Sequence, residues 1–140
     1  MTILDTNVLS ELMKQSPADA VSRWMLAQPG QELYTTSISQ AEILYGVELL
    51  PRGKRRGSLE LAARRMFDKV FAGRVLIFDS AAAEEYSRIA AGRRLQGRPI
   101  THADAQIAAI ARAHGATLAT RDAADFDGCG ITVVNPWIAA

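Results

Sequence analysis

Four acidic residues occupy positions at which a strand is predicted to end or a helix to begin. They are Asp5, Glu42, Asp104 and Asp122. The clearest case is Asp5, because residues 2–4 are compatible with a strand whereas the apolar residues of 8–12 follow helical spacing. A carboxylate at such a junction lies at the carboxyl end of a strand, which is the edge where open α/β sheets bind ligands.

A cluster of carboxylates predicts a divalent cation. Anions crowded into a partly desolvated cleft repel one another and raise each other's pKa, so a cation among them is favoured. Oxygen ligands point to Mg²⁺ or Mn²⁺ rather than to zinc, for which cysteine and histidine ligands are lacking. Such an ion can hold a phosphodiester and supply hydroxide for in-line attack, and a second ion can stabilise the leaving oxygen. The four acids therefore predict metal-dependent phosphodiester hydrolysis.

Three of these acids also have a structural interpretation, in which they cap a helix. Asp5 is of a residue type preferred at the N-cap. Glu42 follows Ser39 by three residues and Asp104 follows Thr101 by three, which is capping-box spacing. Both interpretations can hold together, because a carboxylate in the first helical turn satisfies the helix end and still projects beyond the strand edge.

Helical spacing places two of the acids on apolar stripes. The positions i, i+4, i+7 and i+11 of the first stripe are Ile38, Glu42, Tyr45 and Leu49. On the second stripe, Asp104 shares a face with Ile107 and Ala111. A surface acid normally lies opposite such a stripe, so the pattern predicts that Glu42 and Asp104 face the protein interior.

Strand-like and helix-like segments alternate along the chain, which predicts an α/β fold with a parallel sheet and right-handed crossovers. The predicted strands are residues 2–4, 33–37, 75–78, 117–120 and 131–134, and the predicted helices are residues 8–13, 17–28, 38–50, 58–71, 81–95 and 103–114. The strand at 75–78 is fully apolar, as expected of a strand buried on both faces. Asp79 is interpreted as a helix cap, and Asp125 and Asp127 as solvated loop residues.

Composition is that of an ordinary globular protein, with 140 residues, 49% hydrophobic residues and a formal net charge of +1. A polyanion would have to be held by local patches rather than by the overall field. Cys129 is the single cysteine, which excludes a disulfide within the chain and a cysteine zinc cluster. No signal peptide or membrane-spanning run is recognised, so we expect one domain over residues 1–140, in the cytoplasm and away from membranes.

A basic run at residues 52–56 contains Arg52, Lys54, Arg55 and Arg56. Charge runs of this kind are usually solvated. The alternative is a patch that binds phosphate or a partner, since arginine and lysine dominate contacts to nucleic-acid backbones. The sequence leaves both interpretations open.

The order and spacing of five motifs resemble those of the PIN-domain ribonucleases, and more closely the VapC and FitB type toxins of bacterial toxin–antitoxin modules. The resemblance covers essentially the whole chain. Its motifs are Ile3-Leu4-Asp5-Thr6-Asn7, Ser39-x-x-Glu42 with Tyr45-Gly46, Ile100-x-x-x-Asp104 with Ile107-Ala108-Ala109, Ala119-Thr120-Arg121-Asp122, and Asn135-Pro136-Trp137.

The resemblance implies a three-layer α/β/α fold whose five parallel strands have the order 3-2-1-4-5. It implies Mg²⁺- or Mn²⁺-dependent endoribonuclease activity on structured RNA, homodimers and higher toxin–antitoxin assemblies, and inhibition by a cognate antitoxin that also binds operator DNA. By motif, Asp5, Glu42 and Asp104 would be metal ligands, and Asp122 a fourth acid that acts directly or through water. The implied orienting residues are Thr6, Asn7 and Thr120, whereas Arg121 receives no role.

Two other functions compete with this interpretation. A phosphoryl-accepting receiver or phosphatase would need a further acid where Asn7 stands and a lysine at a later strand end, and the lysines present are badly placed for this. The second competitor is a non-catalytic module that grips a partner or operator complex and has only a structural metal site. The RNA target, the number of metal ions and the identity of the antitoxin are not determined by the sequence.

Overall fold

Five short parallel strands form the centre of the computed structural model, which describes residues 1–139. They are β1 (Thr2–Leu4), β2 (Leu33–Thr36), β3 (Val75–Leu76), β4 (Thr117–Ala119) and β5 (Val133–Val134). The strands lie side by side in the order β3-β2-β1-β4-β5. Residue 140, the last residue of the predicted domain, lies outside the described residues.

Six α-helices cover this sheet within residues 1–139. They are α1 (Thr6–Leu12), α2 (Asp19–Ala27), α3 (Ser37–Glu48), α4 (Lys54–Arg65), α5 (Ser80–Leu95) and α6 (His102–His114). Helix α4 continues into a π-helical turn at Met66–Val70, and short 3-10 segments lie at Gly30–Glu32 and Ala123–Phe126. Over the same residues, no helix has the length and apolar character needed to cross a membrane.

Alternate residues of the central strands pack on opposite faces of the sheet, as the geometry of an extended chain requires. Ile3 and Leu118 belong to a core cluster with residues of α5 and α6, whereas Leu4 and Ala119 belong to a second cluster with residues of α1, α3 and α4. Two helical layers therefore enclose the sheet. The predicted α/β/α architecture and the strand order 3-2-1-4-5 are confirmed.

Local capping and strand position explain two of the differences between the observed and the predicted bounds. Helix α1 begins at Thr6 rather than at residue 8, because the Asp5 carboxylate accepts the Thr6 N–H at 2.8 Å. Strand β3 ends at Leu76, and Ile77 is 64% exposed. The prediction that 75–78 is buried on both faces is wrong, because β3 is an edge strand with β2 as its single neighbour.

The buried face of α3 also differs from the predicted one. Ser39, Ile43 and Val47 point into the protein, whereas Tyr45 and Leu49 are about two-thirds exposed. Apolar residues occur on more than one side of this helix, so spacing alone allowed two candidate stripes, and packing against α1 and α4 selects the one through Ile43. The prediction that Glu42 lies on the buried stripe is therefore wrong, because Glu42 is exposed.

Candidate active site at the carboxyl edge of the sheet

All four predicted acids lie around one edge of the sheet, and we call Asp5, Glu42, Asp104 and Asp122 the acidic site. Asp5 directly follows β1 and Asp122 lies three residues after β4. Asp104 is in the first turn of α6, and Glu42 is in the second turn of α3 rather than the first. Strand β1 lies between β2 and β4, where the connections change direction, and α/β sheets bind ligands in the crevice at such a point.

The carboxylate of Asp5 is the buried centre of this site. Its residue is 6% exposed, and each carboxylate oxygen accepts one hydrogen bond: Oδ1 from the Thr6 N–H at 2.8 Å and Oδ2 from the Thr120 hydroxyl at 2.7 Å. Burial raises the pKa of Asp5 from 3.8 to about 6 although both hydrogen bonds lower it. The charges of Asp104 and Glu42 contribute to this rise, so these acids lie within electrostatic reach of Asp5.

The Thr120 hydroxyl has a single possible orientation. It donates its proton to Asp5 and accepts hydrogen bonds from Asn7 Nδ2 and from the Asp122 backbone N–H, both at 3.2 Å. A hydroxyl has one proton and two lone pairs, so all of its hydrogen-bonding capacity is used. Thr120 therefore holds Asp5 and the backbone of Asp122 in a fixed relation.

Thr6 connects Asp5 to α3. Its backbone N–H binds Asp5, while its hydroxyl donates to Oε1 of Glu42 at 2.7 Å and lies 2.9 Å from the Ser39 hydroxyl. Ser39 is not the cap of α3, because Thr36 holds that position and its side chain accepts the Ser39 N–H at 3.1 Å. The capping-box interpretation of Glu42 is therefore wrong, and its carboxylate faces the start of α1.

Asn7 connects the start of α1, which Asp5 caps, to the segment after β4. Its Nδ2 group donates to Oδ2 of Asp122 at 3.2 Å, and its Oδ1 accepts the Arg121 N–H at 3.2 Å. The amide thus contacts both residues that follow Thr120. These contacts fit the orienting role that the resemblance implies for Thr6, Asn7 and Thr120, and their part in catalysis stays a prediction.

Asp104 is half-buried, and burial is the main reason that its pKa is raised. A hydrogen bond with Thr101 works in the opposite direction, and the Asp104 N–H donates to the Thr101 hydroxyl at 3.2 Å, so the capping interpretation holds here. The negative charges of Asp125, Glu42 and Asp122 also raise the pKa of Asp104. The four acids of the site are therefore electrostatically coupled.

Sequence reasoning missed two residues of this site. Ser39 contacts Thr6, and its place in the Ser39-x-x-Glu42 motif was a usable signal. Asp125 was interpreted as a solvated loop residue, yet its charge acts on Asp104 more strongly than that of Glu42 or Asp122. The buried side chain of Arg93 holds this loop by donating to the Asp125 carbonyl at 2.8 Å, a contact between distant segments that spacing does not reveal.

Among the described residues, no lysine or arginine forms an ion pair with the acidic site. Within residues 1–139, the ion pairs involve other acids, and none includes a member of the acidic site. Over the same residues, no three His, Cys, Asp or Glu side chains converge closely enough to form a ready metal-binding group.

Comparisons with known proteins agree on one family. A family model described as the PIN domain matches residues 2–128. The VapC ribonuclease Y4jK of Sinorhizobium fredii is 42% identical over 98% of both chains, and toxin FitB of Neisseria gonorrhoeae is 37% identical over 98% of this chain and 99% of its own. A solved structure of FitAB bound to an IR36 DNA fragment superposes with a TM-score of 0.89 and 36% identity, covering 100% of this chain and 98% of the other.

Proposed function

The chain belongs to the PIN-domain family, in the branch of the VapC and FitB toxins, and we propose that it is a divalent-metal-dependent endoribonuclease held inactive by an antitoxin. The proposed substrate is RNA, since one close relative is named a ribonuclease. The proposed catalytic and metal-binding residues are Asp5, Glu42, Asp104 and Asp122.

One observation carries the proposal: a buried carboxylate, Asp5, stands beside other acids that no cationic side chain within residues 1–139 neutralises. Uncompensated buried charge is costly, so such a site is favoured when a positive ion is supplied from outside. The donors are carboxylate and hydroxyl oxygens, which suit Mg²⁺ or Mn²⁺. The chemistry of the donor set therefore fits the proposed ion.

Asp5, Glu42 and Asp104 would hold the ion, with Asp122 acting directly or through water. When bound, the ion supplies Lewis-acid polarisation of a phosphodiester and a nucleophile at neutral pH. The protein residues keep the carboxylates oriented: Thr120 and the Thr6 N–H each hold one oxygen of Asp5, which limits the reorganisation needed during the reaction. The hydrogen bond from the Thr6 hydroxyl holds Glu42 in the same manner.

An apolar groove supports the proposed protein partner. It has a volume of about 470 Å³ and lies between α1, α2, α4 and the π-helical turn. Its lining includes Leu12, Met25, Leu61, Met66 and Phe71. Exposed apolar grooves of this kind commonly mark interaction sites. Since the FitAB structure holds a FitB-type chain in a complex, we assign this groove to an antitoxin segment with apolar side chains, and operator DNA would be reached through that antitoxin. Homodimer formation is proposed on the family resemblance.

Purified protein incubated with RNA tests the catalytic proposal. We expect cleavage with Mg²⁺ or Mn²⁺, none with excess chelator, and a loss of at least about a hundredfold in Asp104→Asn, because even residues that only orient metal ligands contribute about ten- to a hundredfold. The control is Asp79→Asn, since Asp79 is likewise an acid at the start of a helix but lies beyond the edge strand β3. Cleavage that persists in chelator, or an Asp104→Asn variant as active as Asp79→Asn, contradicts the proposal.

The same variants separate catalysis from binding alone. Expression of the wild-type chain without its antitoxin is expected to arrest growth, and expression of Asp104→Asn is not. If Asp104→Asn arrests growth fully and retains its partner, the non-catalytic binding module becomes the better description. The apolar groove would then be the principal functional surface.

A further inference from the structure

Arg121 is held rigidly beside the acidic site although the proposed reaction assigns it no role. Its backbone N–H donates to Asn7 Oδ1 at 3.2 Å, and its carbonyl accepts a hydrogen bond from Asn135 Nδ2 at 3.3 Å. Asn7 also binds Asp122, the next residue along the chain. The backbone of Arg121 is therefore tied to the site on one side and to the C-terminal segment on the other.

The side chain of Arg121 lies over an aromatic ring. Its guanidinium carbon is 5.0 Å from the centre of the Trp137 ring, a distance at which a cation is attracted to the ring face. Trp137 is also held in place. Its backbone N–H donates to Asn135 Oδ1 at 2.9 Å, and its ring packs against the core cluster of α1, α3 and α4. Asn135 thus fixes both members of the pair, which we call the Arg121–Trp137 platform.

The hydrogen-bonding groups of this guanidinium are unused within residues 1–139. Among those residues it makes neither an ion pair nor a side-chain hydrogen bond. Its charge helps to lower the pKa of Glu11, but both Glu11 oxygens are already bound by Lys14 and by the Ala18 N–H.

The second arginine that lies over a ring shows the contrast. Arg74 lies over Phe71 at 5.7 Å and donates to the backbone carbonyls of Gly30, Leu33 and Val70. Arg74 therefore links three backbone carbonyl groups. Arg121 is exposed, and its guanidinium is oriented by Trp137 while its N–H groups stay available for a ligand.

We propose that Arg121, stacked on Trp137, binds a phosphate of the RNA strand next to the bond that is cut. This inference rests on the proposed function and names a substrate-binding residue for it. A polyanion approaching four carboxylates is repelled, and a fixed cation at the same edge reduces that repulsion. The planar guanidinium fork matches two phosphate oxygens, and stacking holds its plane with little further loss of conformational freedom on binding.

Binding of a single-stranded RNA oligonucleotide tests the platform. Asp104→Asn serves as the background, so that cleavage does not interfere with the measurement. We expect Arg121→Gln to raise the Kd for RNA by about tenfold and to reduce the slope of log Kd against log salt by about one, as for the loss of one phosphate contact. Arg121→Lys is expected to have a smaller effect on Kd and to keep the salt slope, because it retains the charge and loses the fork.

Lys69→Gln is the control for net charge. Lys69 is exposed and lies in the π-helical turn that precedes β3, towards the opposite edge of the sheet. Trp137→Leu supplies a further test, since it keeps Arg121 charged but removes the ring, and it is expected to weaken RNA binding less than Arg121→Gln. If Arg121→Gln and Lys69→Gln have equal Kd values for RNA, the inference is overturned.

Calorimetric titration of Mn²⁺ without RNA, in the otherwise wild-type protein, separates a substrate contact from a structural role. Removing a positive charge beside the acids leaves Mn²⁺ affinity unchanged or increases it, whereas a collapse of the local structure decreases it. Weaker Mn²⁺ binding by Arg121→Gln, or a loss of antitoxin binding with unchanged RNA binding, overturns the inference and leaves the proposed nuclease intact. A wild-type chain that neither binds nor cleaves RNA contradicts the proposed function itself.

Discussion

Two carboxylates in this protein are equally buried, yet their pKa values move in opposite directions. Asp5 and Glu11 are each 6% exposed. The pKa of Glu11 is lowered, chiefly by the hydrogen bond from Lys14 Nζ at 2.9 Å and by the Ala18 N–H at 3.0 Å. The pKa of Asp5 is raised to about 6, because burial outweighs its two hydrogen bonds and the neighbouring charges are negative. Desolvation is the largest influence on the pKa of Asp5, whereas for Glu11 the hydrogen bond from a cationic side chain outweighs it.

This difference separates an acid that is paired within the chain from an acid of the proposed catalytic site. Glu11 closes the end of α1 onto the start of α2 with a cation supplied by the chain itself. The acidic site lacks such a cation within residues 1–139, although arginines pair with Glu48, Glu60 and Glu85 elsewhere. Glu11 is thus neutralised within the chain, whereas the acidic site stays negative where an external cation is proposed to bind. Three substitutions test this contrast.

The largest effect is expected for Asp5→Asn, in opposite directions on activity and stability. Activity should fall at least about a hundredfold. Metal-free stability at pH 7 should rise by about 1–3 kcal/mol, because a pKa of about 6 in place of 3.8 corresponds to a penalty of about 3 kcal/mol for the ionised folded form. Urea unfolding in chelator measures the second effect, and Mn²⁺ should stabilise the wild type more than the variant.

The pH dependence of this stability gap has a definite sign. The folded pKa of Asp5 is above its unfolded value, so protonation favours the folded state. The penalty is complete above about pH 6 and is relieved as the pH falls from about 6 towards 3.8. The stability advantage of Asp5→Asn over wild type should therefore shrink across that window. An advantage that is absent at pH 7, or that grows on acidification, would show that Asp5 is not an uncompensated charge.

Thr120→Val should have an intermediate effect on activity. The substitution keeps the shape of the side chain but removes the hydroxyl that orients Asp5 and binds both Asn7 and the Asp122 N–H. We expect activity to fall about ten- to a hundredfold. The hydrogen bond from Thr120 is the largest influence that lowers the pKa of Asp5, so the acid limb of the pH–rate profile should move to higher pH. An unchanged profile with full activity would mean that Thr120 has no orienting role.

The fold and the four acids were accessible from sequence because both depend on local pattern. Alternating strand and helix signals predicted a parallel sheet, and acids that follow its neighbouring central strands, such as Asp5 and Asp122, lie at the same edge. The buried face of α3 was not accessible, since apolar residues such as Ile43 and Tyr45 occur on different sides of that helix. The location of Asp125 was also hidden, because it depends on Arg93, which lies 32 positions earlier in the chain.

The smallest effect on activity is expected for Glu11→Gln, which tests the other half of the contrast. RNA cleavage should be unchanged, because Glu11 belongs to a Lys14-bound junction outside the acidic site. Stability should fall, since the variant leaves the Lys14 ammonium without its anion and weakens the hydrogen bond to the Ala18 N–H. The melting temperature relative to wild type measures this loss.

The pH dependence of Glu11→Gln should be the reverse of that for Asp5→Asn. The folded pKa of Glu11 is below its ordinary value of 4.5, so its stabilising contribution is present above pH 4.5 and is lost as the pH falls through the folded value. The wild type should therefore exceed the variant in stability at neutral pH, with a gap that closes on acidification. A Glu11→Gln variant with impaired cleavage at an unchanged melting temperature would contradict the assignment, because a buried acid with its own cation would then also serve the reaction.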